Sequence, residues 1–154
     1  MNNQNLKKEL FNEVVKRGLI KEQEEETKET SSGFKSIISA LLHSRSQVHI
    51  FHWQTNSQTS FAEHMALGGY YDEIGDKMDG LVESYQGKHG LVKDYKCPGM
   101  SNYESVKQLI SYFEELDSII EKNRKNIKES YIQNQIDTVQ ELIFSTLYKL
   151  KFLK

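Results

Sequence analysis

The sequence predicts an all-α protein, a bundle of four helices with one long crossover between the second and third. Three observations carry this. Apolar residues recur at helical spacing over four long stretches. There is one proline, Pro98, and most of the nine glycines fall between 68 and 99, so the chain lacks the turn punctuation that an all-β fold needs. The only long connection without periodicity lies between the second and third stretches. At 154 residues the chain has the size of one domain able to bury a core without disulfides.

Taken in order, residues 5–20 place Leu6, Leu10, Phe11, Val14, Val15 and Leu19 at helical spacing, which reads as a short amphipathic helix. The glutamate-rich stretch Glu22 to Ser32 follows as an acidic tether. This divides the chain into an N-terminal segment, 1–32, and a bundle, 33–154. The apolar stripe of 5–20 must be buried against the bundle, a neighbouring subunit or a separate protein partner, and the sequence leaves the three open.

The first bundle helix spans about 33–55, with Ile37, Leu41, Val48 and Phe51 on its apolar face. Asn56 to Thr59 break it. Ser60 as N-cap, with Glu63 three positions on as a capping box, opens a second helix that Gly87 stops. Leu109, Tyr112, Phe113, Leu116, Ile119 and Ile120 face the core of a third helix over 101–125. Ile132, Ile136, Val139, Leu142, Ile143, Leu147 and Leu150 do so for a fourth over 129–152.

Residues 87–101 hold Gly87, Gly90, Pro98 and Gly99 and read as irregular. Some 15 extended residues span about 45–50 Å, against about 39 Å for a 26-residue helix. The link can therefore return the chain along the whole bundle, the connectivity of ferritin-like bundles. An up-down-up-down bundle with a loose loop satisfies the same length.

The formal net charge of -2 comes from interspersed Lys and Glu, which disfavours DNA binding by counterion release. Cys97 is the only cysteine; this excludes a disulfide framework and a thiolate metal site and suits a reducing cytoplasm. No apolar run reaches the length of a membrane span, and no leader pattern occurs, so a cytoplasmic protein is expected.

The residues suited to chemistry gather on the first two bundle helices. His49 and His52 lie near the end of the first and His64 just inside the second, so an antiparallel hairpin brings His52 and His64 to the same end. Asp72, Asp76, Asp79 and Glu83 follow at steps of four, three and four, on one stripe within about 60° of arc. Four like charges on a stripe face water, a cation or a partner. Imidazole with carboxylate and no thiolate suits Fe, Mn or Zn. His64 and Asp79 are 15 residues apart on one helix, about 22 Å along its axis, so one subunit cannot close both on one ion. Two subunits about a twofold axis can, each lending its histidine end to the other's carboxylate end.

His52-Trp53, then His64 twelve residues on, then Asp79 and Glu83 resemble the ferroxidase pattern of the Dps family of mini-ferritins. The resemblance covers about 34–87. It implies His52 and His64 as ligands from one subunit with Asp79 and Glu83 from its twofold neighbour, in hollow dodecameric cages that oxidise Fe(II) with hydrogen peroxide and store the ferric mineral. His49 is a candidate accessory ligand and Asp76 a further one. Gly68 stands where the family usually carries another carboxylate, and Ser84 where it has an arginine; the family's Lys-rich DNA-binding tail is also absent.

Each of these residues has a plainer reading. A histidine is more often satisfied by hydrogen bonds than by metal, exposed carboxylates are often only solvated, and Trp53 is more often core than a redox partner. His43 reads as structural and His89 as exposed. Asp137 and Glu141 could join an intra-bundle di-metal site, but such a site draws on Glu-x-x-His pairs and the chain has none. The expectation is an iron-binding, iron-storing ferroxidase that removes Fe(II) and peroxide together. Its rival is a non-catalytic ferritin-like structural or interaction protein docking through its N-terminal helix.

Overall fold

The computed structural model describes residues 3–56 and 59–154. Among these the only regular elements are helical: α1 (Asn3–Gln54), α2 (Phe61–His89), α3 (Val106–Asn123), a 3-10 turn (Arg124–Asn126) and α4 (Ser130–Phe152). None is long and apolar enough to cross a membrane. Ser57 and Gln58 of the expected break lie outside the described residues.

The expected short N-terminal helix and tether are corrected, because α1 runs without interruption from residue 3 to 54. Glu22 to Ser32 holds mainly Glu, Lys and Gln, which propagate a helix well, and it has neither Gly nor Pro. The third helix begins at Val106 rather than near 101, since the first residues after Gly99 are engaged in the crossover.

Stacking of Phe34 on Tyr85, with ring centroids 3.6 Å apart, and contact of the His52 and His64 rings run α2 antiparallel to α1. Ser84 meets Gln135 at 2.9 Å while Lys149 and Leu153 lie beside His64 and Gly68, so α4 is antiparallel to α2. Gly33 at Asn123 and His43 at Tyr112 make α3 antiparallel to α1. The directions are therefore up, down, down, up. Both α1 and α4 pack chiefly on α2 and α3, around a core that includes Ile37, Leu41, Leu67, Ile74, Phe113, Ile136 and Ile143. Tyr70, fully buried, shares a 2.7 Å hydrogen bond with Ser44 at the centre.

An extended crossover follows from these directions, and polar residues of α1 hold it. Gly90, at φ 86°, ends α2, a conformation that favours glycine. Ser39 Oγ accepts from the Lys96 amide at 3.2 Å, and His43 Nε2 lies 3.3 Å from the Gly99 carbonyl. Buried Gln47 donates to the Ser101 carbonyl (2.8 Å) and accepts from its amide (2.7 Å). Gln54 accepts from the Tyr103 amide at 2.6 Å. From Ser39 to Gln54 the helix rises about 22 Å, and seven extended residues from Lys96 to Tyr103 cover about 23 Å. The chain thus returns parallel to α1 over that length.

The capping box is made in one half. Ser60 Oγ accepts from the Glu63 amide at 3.0 Å, while the Glu63 carboxylate accepts from Tyr103 Oη at 2.8 Å. Burial and then the Glu63 carboxylate push the Tyr103 hydroxyl up to about 12. At the far end Arg124 Nη2 reaches Asp137 at 2.6 Å and Nε reaches Gln133 at 2.7 Å, closing the α3–α4 turn.

Two substitutions test this packing by denaturant unfolding. Gln47→Leu should lower stability by about 1–3 kcal/mol, because it removes both hydrogen bonds that tie the Ser101 peptide to α1. A Cβ on Gly33 would stand 2.7 Å from the Asn123 carbonyl oxygen, so Gly33→Ala should cost about 1–3 kcal/mol by forcing α1 and α3 apart.

Candidate metal centre

The structure joins His52 and His64. Their rings stack with centroids 3.9 Å apart and planes at 26°, at the end of the bundle where α1 gives way to α2. His52 Nδ1 lies 3.0 Å from the His64 carbonyl oxygen. A carbonyl can only accept, so this nitrogen carries a proton. Thr55 Oγ1 donates to the His52 carbonyl at 2.7 Å and lies 2.7 Å from His64 Nδ1. Having spent its one proton, the hydroxyl accepts from His64. In the neutral state both imidazoles therefore hold hydrogen at Nδ1 and keep the Nε2 lone pair, the tautomer in which an imidazole can bind metal through Nε2.

Around this pair lies a groove of ≈ 630 Å³ whose lining includes His52, His64, Gly68, Tyr71, Asp72 and Lys149. Gly68, which lacks the carboxylate usual in the Dps pattern, lies against the His52 ring: a Cβ there would be 3.4 Å from its Cε1. Space for a small side chain exists, but glycine leaves that edge of the ring open.

His49 stands beside the pair, its ring stacked on Tyr71 at 3.9 Å and tilted to Trp53 at 4.2 Å; His52 is 6.3 Å away. Trp53 is corrected from core to surface, with 68% exposure. It ends the buried register of α1, and its cover is the His49 ring. His43 is held by Tyr112 at 2.9 Å. His89 is exposed as a residue, yet its Nε2 reaches Glu129 at 2.9 Å.

Asp72, Asp76, Asp79 and Glu83 are all exposed, and among the described residues none forms an ion pair. Met78 and Leu81 take the buried side of the helix. Because α2 is unbroken from 61 to 89, Asp79 and Glu83 stay about 22 Å or more from His64 along the axis. Among the described residues no three His, Cys, Asp or Glu side chains converge within one copy. Asp72 is the stripe member nearest the histidines, in the same groove.

Thr55, Tyr71 and Lys149 complete the surroundings without having been singled out from the sequence as part of a centre. Only Thr55 had a signal, a hydroxyl three residues after a histidine at a helix end, where it can bond back to the carbonyl. Thr55→Val removes the group that holds His64 in one tautomer. Nitrogen-15 NMR of the neutral imidazoles should show Nδ1–H at both histidines in the wild-type protein, and a shift of His64 toward Nε2–H in the variant.

No curated protein and no solved structure matches the chain. A family model matches residues 52–150, a stretch that opens on His52 and includes His64, Asp79 and Glu83. It covers well over half of the sequence, and the chain therefore belongs to a family of unknown function, DUF5856.

Proposed function

We propose that this protein is an iron-binding ferroxidase and iron-storage protein of the ferritin-like kind, with its metal centres between subunits. The observation that carries the reading is the His52–His64 pair. Two adjacent imidazoles are fixed through Nδ1, so both Nε2 lone pairs are available, while the carboxylates suited to complete the coordination form no ion pair among the described residues and are too far along the same rod to do so. A second copy related by a twofold axis brings Asp79 and Glu83 to the histidines and generates two equivalent sites.

The up, down, down, up order with its lengthwise crossover supports the ferritin-like assignment, and the Dps-like spacing supports a closed, dodecameric assembly. Iron(II) is the substrate. The imidazoles bind and orient it, the carboxylates favour the ferric product, and the chain's task is positioning, with hydrogen peroxide as electron acceptor. Zn or Mn fits the same donors. His49 and Asp76 are accessory candidates in this reading, and DNA is not a partner. Gly68 and the projecting N-terminal part of α1 favour one rival, a non-catalytic ferritin-like protein that acts by docking.

Anaerobic addition of Fe(II) followed by peroxide should produce ferric absorbance faster than buffer alone, and His52→Ala and Asp79→Ala should each slow it by at least ~10-fold. Mixing the two variants after dissociation and reassembly should recover about a quarter of the wild-type sites, since half of random dimers are mixed and each mixed dimer has one intact site. A wild-type rate no greater than buffer would leave the docking protein standing. Activity without recovery on mixing, or a monomer in solution, would remove the shared site.

A further inference from the structure

The bundle occupies only part of α1. Contact with the rest of the molecule starts at the Glu26–Lys128 ion pair and at Thr30, whose hydroxyl donates to the Asn126 carbonyl at 3.1 Å. N-terminal to that point every described side chain, from Glu9 to Glu29, is exposed. Val14, Val15, Leu19 and Ile20 are 44–68% exposed. The side chains of Leu6, Lys8, Leu10 and Phe11 lie outside the described residues, so these enter only as positions in the sequence.

The projection continues the register of the core. Within the bundle, Thr30, Ile37, Leu41, Ser44 and Val48 are buried, and Gly33 adjoins α3. Their spacing of four, four and three, carried back toward the N-terminus, passes through Glu26, Glu22, Leu19, Val15, Phe11 and Lys8. An 11-residue repeat keeps such a stripe on one side of a nearly straight helix. The face that is covered by α2 and α3 in the bundle therefore runs on along the projection, where its described members Val15, Leu19 and Glu22 are exposed.

Charge identifies the cover. Residues 3–21 hold five Lys or Arg and two Glu, whereas 22–29 hold five Glu and one Lys. A second projection laid parallel would set like on like; laid antiparallel, it sets basic on acidic. A register in which paired residue numbers sum to 30 places Val15 on Val15, Phe11 on Leu19 and Lys8 on Glu22 along the stripe. Asn12 then faces Gly18, around which nothing stands within 4 Å, and the Lys16 stem covers Val14.

In this register residue 3 of one copy lies opposite residue 27 of the other, where Lys128 and Asn126 begin to cover α1. The bundles, each about 22 Å from Val15 along the helix, stand on opposite sides with no overlap.

We infer that the N-terminal projection of α1 is a self-recognition element that pairs antiparallel with the same segment of a second copy, centred on Val15. This contact is separate from the metal centre and does not depend on it.

The test uses full-length chains in a Cys97→Ser background. Phe11→Cys and Leu19→Cys chains, mixed under mild oxidation, should form a disulfide heterodimer, identified by mass, at least ~10-fold faster than either chain cross-links with itself. Self-cross-linking as fast as the mixture would mean parallel or random contact and would overturn the proposal, as would no cross-link above that of the unfolded chains. Lys8→Glu, carried by both cysteine chains, should slow the reaction several-fold, and adding Glu22→Lys should restore it. A double swap as slow as the single one would also sink the antiparallel register. Apart from the shared Cys97→Ser background, whose thiol donates to the Ser39 carbonyl, none of these substitutions touches the bundle, and circular dichroism should match that of the background chain in each variant.

Discussion

The stiffness of α2 is the constraint on which the site reading depends. A helix of 29 residues without a break holds its two ends at a fixed separation, so the imidazole near its start and the carboxylates in its second half belong to different places on the surface of one copy. The sequence already contains this separation as a number of residues. The structure adds that no kink shortens it, and that the histidine end is organised by main-chain carbonyls and a threonine.

Much of the architecture was legible because it rests on local pattern. Apolar periodicity marked the four helices and Ser60 marked the start of α2, but its stop was read too early: the helix runs through Gly87 to His89, and Gly90 caps it. The crossover's length suggested its path. What periodicity cannot encode is how that path is held. Gln47 and Gln54 look like ordinary polar helix residues, but they supply the hydrogen-bond partners of an extended segment about 50 positions away in sequence. Tyr103 likewise takes the carboxylate that the capping pattern had reserved for the Ser60 amide.

The N-terminal region was misread for a related reason. A run of glutamates suggests a solvated tether by composition, yet Glu, Lys and Gln are good helix formers, and nothing between the amphipathic stretch and the bundle interrupts them. Exposure of Trp53 was equally hidden: it follows His52 in a register where the next inward position is already filled by Phe51. For the candidate site, residue types and spacing identified the histidine pair, while their tautomers required the positions of Thr55 and of the His64 carbonyl.

The return segment beside α1 is secured by neutral groups: glutamine amides, a serine hydroxyl, an imidazole and peptide units. Apart from Tyr103 on Glu63, these ties engage no carboxylate. Added electrolyte, which weakens attraction between opposite charges at a surface, has little to act on here. The chain's path is thereby insulated from the ionic composition of the surrounding solution, even though its outer helix faces carry many charges that respond to it.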